Sequence, residues 1–368
     1  TEQNHSFEEE FVYDTEHEEF HHKHEEFMEK ISEYHKTFLY YYARNRSPYS
    51  ILTDRSKLFQ SFYFMVKKNE TSWYNGIIRP FITFEGEIGV DHGGLTYEAV
   101  EILIENFLKV DDKRKFDENR CSNSAKSFYD FSQAFFLETP SGLYVPNTNY
   151  PAETFKFIGS IFALAFNLNI PLGFELLPAF YRILTNKQHI KKPLSVISEL
   201  KHVDPELYFN LIGLRKVDLK PLKLEFMGEE VTSQNLETYI LNESKFYSYI
   251  KYRQHLISLR EGFFSSTDSE LFGNLNLNSE KLLQVMLGDV VLTHDDFVKH
   301  VDITKLSDSN TRRWIFEVIQ EMSDEERFLL FKFITAKRKV PFRGLKSLVI
   351  PISFASVYLP STRSIPVS

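Results

Sequence analysis

The chain has 368 residues, a formal net charge of −8 and one cysteine, Cys121. One thiol cannot build a disulfide framework or a cysteine-rich zinc site, which favours a reducing compartment, the cytoplasm or the nucleus. The negative charge argues against general nucleic-acid binding. The sequence has no opening signal-peptide pattern and no apolar run of about 18 residues, so we expect no membrane-spanning segment.

The excess negative charge belongs to the start of the chain. Residues 1–36 carry 12 acidic and 3 basic side chains, and the other 332 residues carry 39 acidic and 40 basic ones. An apolar stripe with helical spacing predicts a long helix that ends before Ser47-Pro48. Its members are Phe20, Phe27, Ile31, Tyr34 and Phe38. His17, His21 and His24 share another face, which could bind a metal, although a solvated acidic face is the simpler interpretation.

Hydrophobic periodicity predicts the elements of the body in chain order. They are a helix at 55–67, a strand at 80–84, a helix at 95–108, a surface insertion at 109–133, a buried helix at 155–168, an amphipathic helix at 172–186, a strand at 222–226 and a helix from 231 to about 261. Gly159 and Ala163 in the buried helix would permit close approach of another element, and Gly262 is a candidate helix cap. A polar stretch at 302–313 predicts a linker. Two helices, at 312–322 and 323–335, and a β-like tail follow it. The second helix opens with Ser323-Asp-Glu-Glu326, a capping-box pattern.

Three features could carry chemistry, and each has a plainer interpretation. The glycines of GEIGVDHGG (86–94) lack the lysine and spacing of a phosphate loop, so we interpret them as turn glycines. The carboxylates of Glu85, Glu87, Asp91 and Glu98 could bind a cation, but local hydrogen bonding is the favoured role. Cys121 has no histidine nearby in sequence that would activate it, which favours an inert thiol.

The order of the motifs carries more information than any one of them. The series Phe84, Gly86, Glu87, Gly89, Asp91, Gly93, Gly94, Leu95 and Glu98 resembles an early signature of the HECT family of E3 ubiquitin ligases. The resemblance begins near Arg55 and continues to the last residue. Tyr97 stands where the family usually has arginine.

Later segments are similar to the same family and follow in its order. FKFIGSIFALAF resembles a family helix, with Ser160 in place of arginine and Ala163 in place of glycine. Leu143–Asn147, Trp314, Asp324–Arg327 and Phe331–Thr335 match further motifs, and Ala336 replaces a usual glycine.

The resemblance implies an α+β, bilobal fold with a mostly helical N-lobe that has small β elements. The expected parts are an acidic helical segment at 1–50 that packs on the N-lobe, an N-lobe at 51–306 with a small E2-binding subdomain at about 205–290, and the first part of an α/β C-lobe at 311–368. A hinge between the lobes would comprise Ser307, Asp308, Ser309 and Asn310.

The family's activity is the transfer of ubiquitin from an E2 enzyme to a cysteine, as a thioester, and then to a substrate lysine. The sequence Ser364-Ile-Pro-Val-Ser368 is similar to the family motif that precedes this cysteine, which would place the cysteine three positions beyond Ser368. The alternative alignment, from Leu359-Pro360, would place that position on Ile365 and fits less well. The present chain, without that cysteine, is expected to be inactive, and Cys121 matches no family cysteine. The implied partners are a ubiquitin-charged E2, ubiquitin and protein substrates, with no cofactor, metal, nucleic acid or membrane.

The resemblance also places the E2-docking residues. They are Leu207, Leu211, Leu222, Leu224 and Tyr239, and Glu243 stands where the family has an aromatic residue. A patch of exposed apolar side chains around one aromatic ring is typical of a binding site. The competing interpretation is that the leucines form a core, particularly Leu222 and Leu224, which would share one face of the predicted strand.

Two other functions remain open at this point. The chain could be a non-catalytic module that binds an E2 or a regulator without forming a thioester, and a cysteine after Ser368 would distinguish a ligase from it. It could also be an unrelated helical scaffold, which failure to bind any E2 would favour.

Overall fold

The structure is a computed structural model. It describes residues 19–20, 22–36, 49–74, 77–87, 91, 94–110, 115–117, 128–130, 132–190, 197–288, 301–302, 308–335, 340 and 350–351. Cys121, His17, His21 and most of the predicted β-like tail lie outside these residues.

Helices make up most of the described chain. They are α1 (22–36), α2 (Leu58–Lys68), α3 (Glu70–Trp73), α4 (Gly94–Asn106), α5 (Ala152–Asn167), α6 (Pro178–Thr185), α7 (Ile197–Val203), α8 (Pro205–Gly213), α9 (Leu236–Ser248), α10 (Arg253–Ser265), α11 (Ser269–Asn274), α12 (Ser279–Leu287), α13 (Ser309–Glu321) and α14 (Asp324–Thr335). None of the helices within the described ranges is long and apolar enough to cross a membrane.

The described strands form five separate pairs. They are β1 (Ser50–Thr53) with β2 (Phe81–Phe84), β3 (Lys115–Asp117) with β4 (Phe128–Asp130), β5 (Phe136–Glu138) with β6 (Tyr144–Pro146), β7 (Glu225–Phe226) with β8 (Glu229–Glu230), and β9 (Val301–Asp302) with β10 (Ile350–Pro351). The first and last pairs are parallel and the others antiparallel. A mostly helical chain with small strand pairs confirms the predicted α+β class.

The α5–α10 pair lies at the centre of the molecule, and glycines bring its two backbones together. A Cβ atom on Gly159 would lie 2.0 Å from the carbonyl oxygen of Leu259, and one on Gly262 would lie 1.9 Å from that of Lys156. The prediction of close approach at Gly159 is therefore confirmed. The prediction of Gly262 as a helix cap is wrong, because Gly262 lies inside α10, where it gives α5 room to approach.

Helix α5 is buried over most of its circumference, as its sequence predicted. Its one buried hydroxyl, that of Ser160, accepts a 2.9 Å hydrogen bond from the indole Nε1 of Trp73 and donates to the carbonyl of Phe157. A buried polar group is costly unless it is hydrogen-bonded, so this pairing makes Ser160 acceptable in the core. The serine side chain is small, and it leaves room for the Trp73 ring.

Aromatic rings fill much of the large core around α5. Phe59 of α2 stacks on Phe135 at 5.4 Å between ring centroids and meets Phe157 edge-on at 5.9 Å. Phe107 contacts both Phe135 and Phe162 in edge-to-face geometry. These arrangements match the ring quadrupole and add to the burial of apolar area. Phenylalanine rings therefore supply much of the contact between α2, α5 and the chain around Phe107 and Phe135.

Helix α1 packs on this core through part of the predicted stripe. Phe20, Phe27 and Ile31 are buried, but the side chain of Tyr34 is 46% exposed. The Tyr34 hydroxyl donates to the carboxylate of Asp268 at 3.3 Å. The placement of Tyr34 in the stripe is therefore wrong, because its polar end remains at the surface.

Two histidines of α1 are buried instead. His24 and His35 are 5% and 6% exposed, so the expectation of a solvated histidine face is wrong for His24. Burial, with a smaller effect of the Arg79 charge, lowers the pKa of His35 to about 4. His35 is therefore neutral at pH 7.

Backbone chemistry shortens two predicted helices. The helix predicted at 172–186 begins only at Pro178, in the first helical position of α6, and Gly173 before it has a φ of +69°. The helix predicted from 231 to about 261 is broken at Tyr249, whose φ of −147° and ψ of −55° are not helical. The break places Tyr249 and Tyr252 in the large core, and this burial is the tertiary reason for the interruption.

Capping interactions define the two helices that follow the predicted linker. Asp308 accepts hydrogen bonds from the backbone amides of Asn310 and Thr311, so α13 begins at Ser309, three residues earlier than predicted. Ser323 and Glu326 bond to each other's backbone amides, at 3.3 Å and 2.8 Å. The capping box predicted for α14 is therefore confirmed.

Candidate functional site

A second, smaller hydrophobic core lies apart from the large one. It contains the buried side chains of Leu200, Leu211, Val231, Leu236 and Ile240. We call this unit, built from α7, α8, the segment 214–231 and α9, the small cluster. Asp204 caps α8 by accepting from the backbone amide of Leu207 at 2.9 Å, which fixes the helix that supplies Leu211.

The segment between α8 and α9 is a series of tight turns rather than a strand. Residues Leu214–Lys216 and Lys220–Leu222 form 3₁₀ turns. Lys223 has a φ of +45°, and the β7–β8 hairpin turns through Met227 and Gly228, both with positive φ. The prediction of a strand at 222–226 is therefore wrong except at Glu225–Phe226. Pro221 lies in a 3₁₀ turn, and the left-handed backbone of Lys223 changes the direction of the chain.

The turns expose apolar side chains around the small cluster. On α8 and in the segment that follows it, the exposed side chains are Phe209 at 60%, Val217 at 52%, Leu222 at 45% and Met227 at 88%. Exposed apolar groups clustered on one unit are typical of a protein-binding surface. Sequence reasoning missed Phe209, Val217 and Met227. The helical spacing of Leu207 and Leu211 was the available signal for Phe209, since it places Phe209 on another face of α8.

The predicted docking residues fall into three classes of exposure. Leu222 is exposed, Leu207, Leu224 and Tyr239 are half-buried, and Leu211 is 5% exposed. All but Leu222 pack on or within the core of the small cluster. Leu222 and Leu224 do not share a strand face, because residues 222–224 are not a strand. The core interpretation fits Leu211, whose side chain supports the surface from beneath.

Tyr239 lies on α9 where the hairpin meets the helix. Its ring packs edge-on against Phe226 at 5.8 Å between centroids. Burial raises the pKa of Tyr239, and the neighbouring charge of Glu243, one turn along α9, raises it further. The phenol is therefore protonated at neutral pH and can donate a hydrogen bond.

An ion pair ties the turns to α9. The guanidinium of Arg215 forms two hydrogen bonds with the carboxylate of Glu237, at 2.7 Å and 2.6 Å. Both side chains are substantially exposed, at 39% and 64%. This bidentate geometry orients the segment that carries Val217 and Leu222.

The carboxylates near the glycine-rich motif have structural roles. Asp91 accepts from the backbone amides of Ile82 at 3.0 Å and Thr96 at 3.3 Å, and so joins β2 to the start of α4. Arg55 pairs with both Glu87 and Glu98. The favoured interpretation of local hydrogen bonding is confirmed for these groups. In the part of the chain that the structure describes, no three histidine, cysteine, aspartate or glutamate side chains form a metal-binding group.

The predicted hinge lies only partly within the described residues. Ser307 is outside them, Asp308 is the cap of α13, and Ser309 and Asn310 form the first turn of that helix. The Thr311 hydroxyl and amide lower the pKa of the Asp308 carboxyl, which keeps the cap ionised. The hinge role stays a prediction.

Comparison with known proteins agrees with this architecture. The sequence model of the family described as HECT-domain (ubiquitin-transferase) matches residues 120–368. The chain is 24% identical over 292 residues to the E3 ubiquitin-protein ligase pub1 of Schizosaccharomyces pombe, covering 73% of this chain and 35% of that protein. It is 24% identical over 294 residues to human NEDD4, covering 73% and 20%, and 22% identical over 295 residues to RSP5 of Saccharomyces cerevisiae, covering 73% and 33%.

The chain thus spans between a fifth and about a third of the length of these relatives. The family match covers well over half of the chain, including the small cluster and the helices α13 and α14. It also confirms the family that the ordered sequence motifs indicated. This chain belongs to the HECT-domain family of ubiquitin transferases.

Proposed function

We propose that the chain is the E2-docking part of a HECT-type E3 ubiquitin ligase and that the small cluster is its docking surface. The observation that carries the proposal is the group of exposed apolar side chains, Phe209, Val217, Leu222 and Met227, on a unit with its own core. Tyr239 and Leu224 are half-buried and pack against the core of the same unit. An aromatic anchor within an apolar surface suits recognition of a protein partner.

The reaction follows from thiol chemistry. An acceptor thiolate attacks the carbonyl carbon of the E2–ubiquitin thioester, a new C–S bond forms, and the E2 thiolate leaves. The amine of a substrate lysine then attacks the new thioester, loses its proton and expels the acceptor thiolate. A thiolate suits both steps because it attacks well and leaves well, and neither step requires a cofactor or metal.

The acceptor cysteine is expected three positions beyond Ser368, from the resemblance of residues 364–368 to the motif that precedes it. A turn of the C-lobe about residues 307–310 would carry the loaded cysteine from the E2 to the substrate lysine. Partners are then a charged E2, ubiquitin and protein substrates. A cytoplasmic or nuclear location fits a chain with a single cysteine.

The test is to incubate the gene product that includes the expected cysteine with E1, a panel of E2 enzymes and ubiquitin. A reductant-sensitive ubiquitin adduct on that cysteine supports the ligase. Binding of an E2 with no adduct would favour the non-catalytic module instead, and binding to none would refute docking.

Two controls locate the adduct. Replacement of the expected cysteine by alanine should abolish it, while Cys121→Ser should leave it unchanged. The 368-residue chain alone should form none, and a reductant-sensitive adduct on Cys121 would contradict this assignment.

A further inference from the structure

The small cluster is joined to the large core by two connections. Helix α7 contributes Leu200 to the small core and Val203 to the large one. The chain returns through α9, which ends just before Tyr249 and Tyr252 enter the large core. Two connections alone do not fix the tilt of the small cluster relative to the large core. Contacts between the two units must therefore set it.

A half-buried ion pair lies at this junction. Arg182 belongs to α6 and Glu199 to α7. Arg182 Nη1 lies 2.8 Å from Glu199 Oε1, and Arg182 Nη2 donates to Oε2 at 2.8 Å. The two side chains are only 16% and 15% exposed. One hydrogen bond and a second close contact between the charged groups, both at 2.8 Å, restrain the separation and the orientation of the two planar side chains.

The helix that carries Arg182 is anchored to α10. Arg260 on α10 donates from Nε to the carbonyl of Ile183, next to Arg182, at 2.8 Å. The α6 backbone is therefore anchored to the central helix pair. In the last turn of α7, the carbonyl of His202 accepts a hydrogen bond from the Ser141 hydroxyl. Besides the burial of Val203, helix α7 is thus held by two polar contacts, and the ion pair is the one that joins two planar side chains.

We propose that Arg182 and Glu199 are positioning residues that set the orientation of the small cluster on the body. The pair would thereby set where a docked E2 presents its thioester. This second part rests on the proposed docking function, and the first part does not. A buried pair contributes little net stability, because desolvation offsets the attraction, so the role that its geometry supports is orientation.

The orientation is measurable without any partner. In the full chain with Cys121→Ser, spin labels are attached at Asn210→Cys on α8 and Glu153→Cys on α5, two exposed positions outside the junction. Glu199→Gln is expected to broaden or shift the distance distribution between the labels. Arg182→Lys keeps the positive charge but lacks the two-pronged guanidinium group. It should therefore broaden the distribution less than Glu199→Gln does. The swapped pair Arg182→Glu with Glu199→Arg should restore a narrow distribution.

The matched control is the other bidentate pair of the small cluster. Arg215 and Glu237 have the same chemistry but both lie within the cluster, so Glu237→Gln should leave the distribution unchanged. An unchanged distribution in both Glu199→Gln and Arg182→Lys would overturn the proposal. An equal broadening in Glu237→Gln would overturn it as well, since the effect would then be general loosening.

Transfer provides the second arm. In the gene product that includes the acceptor cysteine, Glu199→Gln should leave the Kd for the E2 within about twofold of the parent value. Single-turnover ubiquitin transfer at saturating E2 should be about tenfold slower, because reacting groups that are held out of position react more slowly. A broadened distribution with an unchanged transfer rate would overturn the role in presentation. Absence of E2 binding to the parent protein would refute docking, while the distance result would still decide the role of the pair in orientation.

Discussion

The α5–α10 pair and the small cluster are two ways of using the same residue types. In the first, glycines let the two helix backbones approach until no Cβ atom fits between them, and aromatic rings pack around the helices. In the second, five buried side chains support a surface on which Phe209 and Met227 face solvent. The large core hides its apolar groups, and the small cluster exposes a set of them.

The difference teaches where stability and binding reside. Adding even one methyl group to a contact as close as that between α5 and α10 costs stability. The small core has few side chains with which to stabilise its unit, so each of them matters to the shape of the surface above. Changes in the first region should affect the whole fold, and changes at the second surface should affect partners.

The largest effect is expected at Gly262. Gly262→Ala places a methyl group against the carbonyl of Lys156 and forces the two central helices apart, at a cost of at least about 3 kcal/mol. Chemical denaturation measures the loss of unfolding free energy. A poor yield of soluble protein would be the extreme result of the same destabilisation. Gly213→Ala is the matched control. Gly213 has a φ of −61° and no atom near its Cβ position, so alanine should be neutral or stabilise by up to about 1 kcal/mol.

The next effect concerns the small core. Leu211→Ala removes a buried side chain and leaves a cavity, which costs about 2 to 4 kcal/mol. Because the core is small, hydrogen exchange should show the loss as faster exchange of α8 and α9 amides than of α5 amides. Leu222→Ala, at an exposed position, should change stability by less than about 0.5 kcal/mol. Equal protection of α8 in Leu211→Ala and the parent protein would contradict the separate core.

A pH effect is expected where α1 packs on the large core. The folded-state pKa of His35 is about 4, below the usual histidine value of 6.5, so the unfolded state binds more protons between these values. Stability is therefore present above about pH 6.5 and is lost as the pH falls toward 4, by about 2 kcal/mol between pH 7 and pH 5. Denaturation at both pH values measures this loss. His35→Phe should reduce the loss, and an equal loss in the variant would assign it to other groups.

Periodicity and composition predicted the fold where a single physical signal dominates. The all-round apolar pattern of α5 identified a buried helix, and Ser323 with Glu326 identified the start of α14 by local hydrogen bonds alone. Failures occurred where distant contacts decide. No local pattern shows that α5 packs against Gly262, or that Tyr249 must leave the helix to enter the large core.

The site was predictable to a smaller extent, for a similar reason. The resemblance identified the segment, but exposure depends on how the turns fold over the small core. Lys223 with its positive φ breaks the alternation of residues 222–226, so Leu222 becomes exposed while Leu224 remains half-buried. Met227 carries no sequence signal of exposure, since apolar side chains are usually expected inside.

The smallest expected effects lie on the proposed docking surface, and they separate binding from stability. Tyr239→Ala removes the half-buried ring beside Phe226, which should raise the Kd for the E2 about tenfold, or about 1.4 kcal/mol, with the helical circular dichroism signal unchanged. Leu222→Ala should raise it about threefold. Leu52→Ala, 67% exposed on β1 of the body, is the control and should leave the Kd unchanged. Titration calorimetry measures all three. If Tyr239→Ala and Leu222→Ala both bind like the parent protein, the E2 does not dock on this surface, and the exposed apolar groups of the small cluster serve another partner.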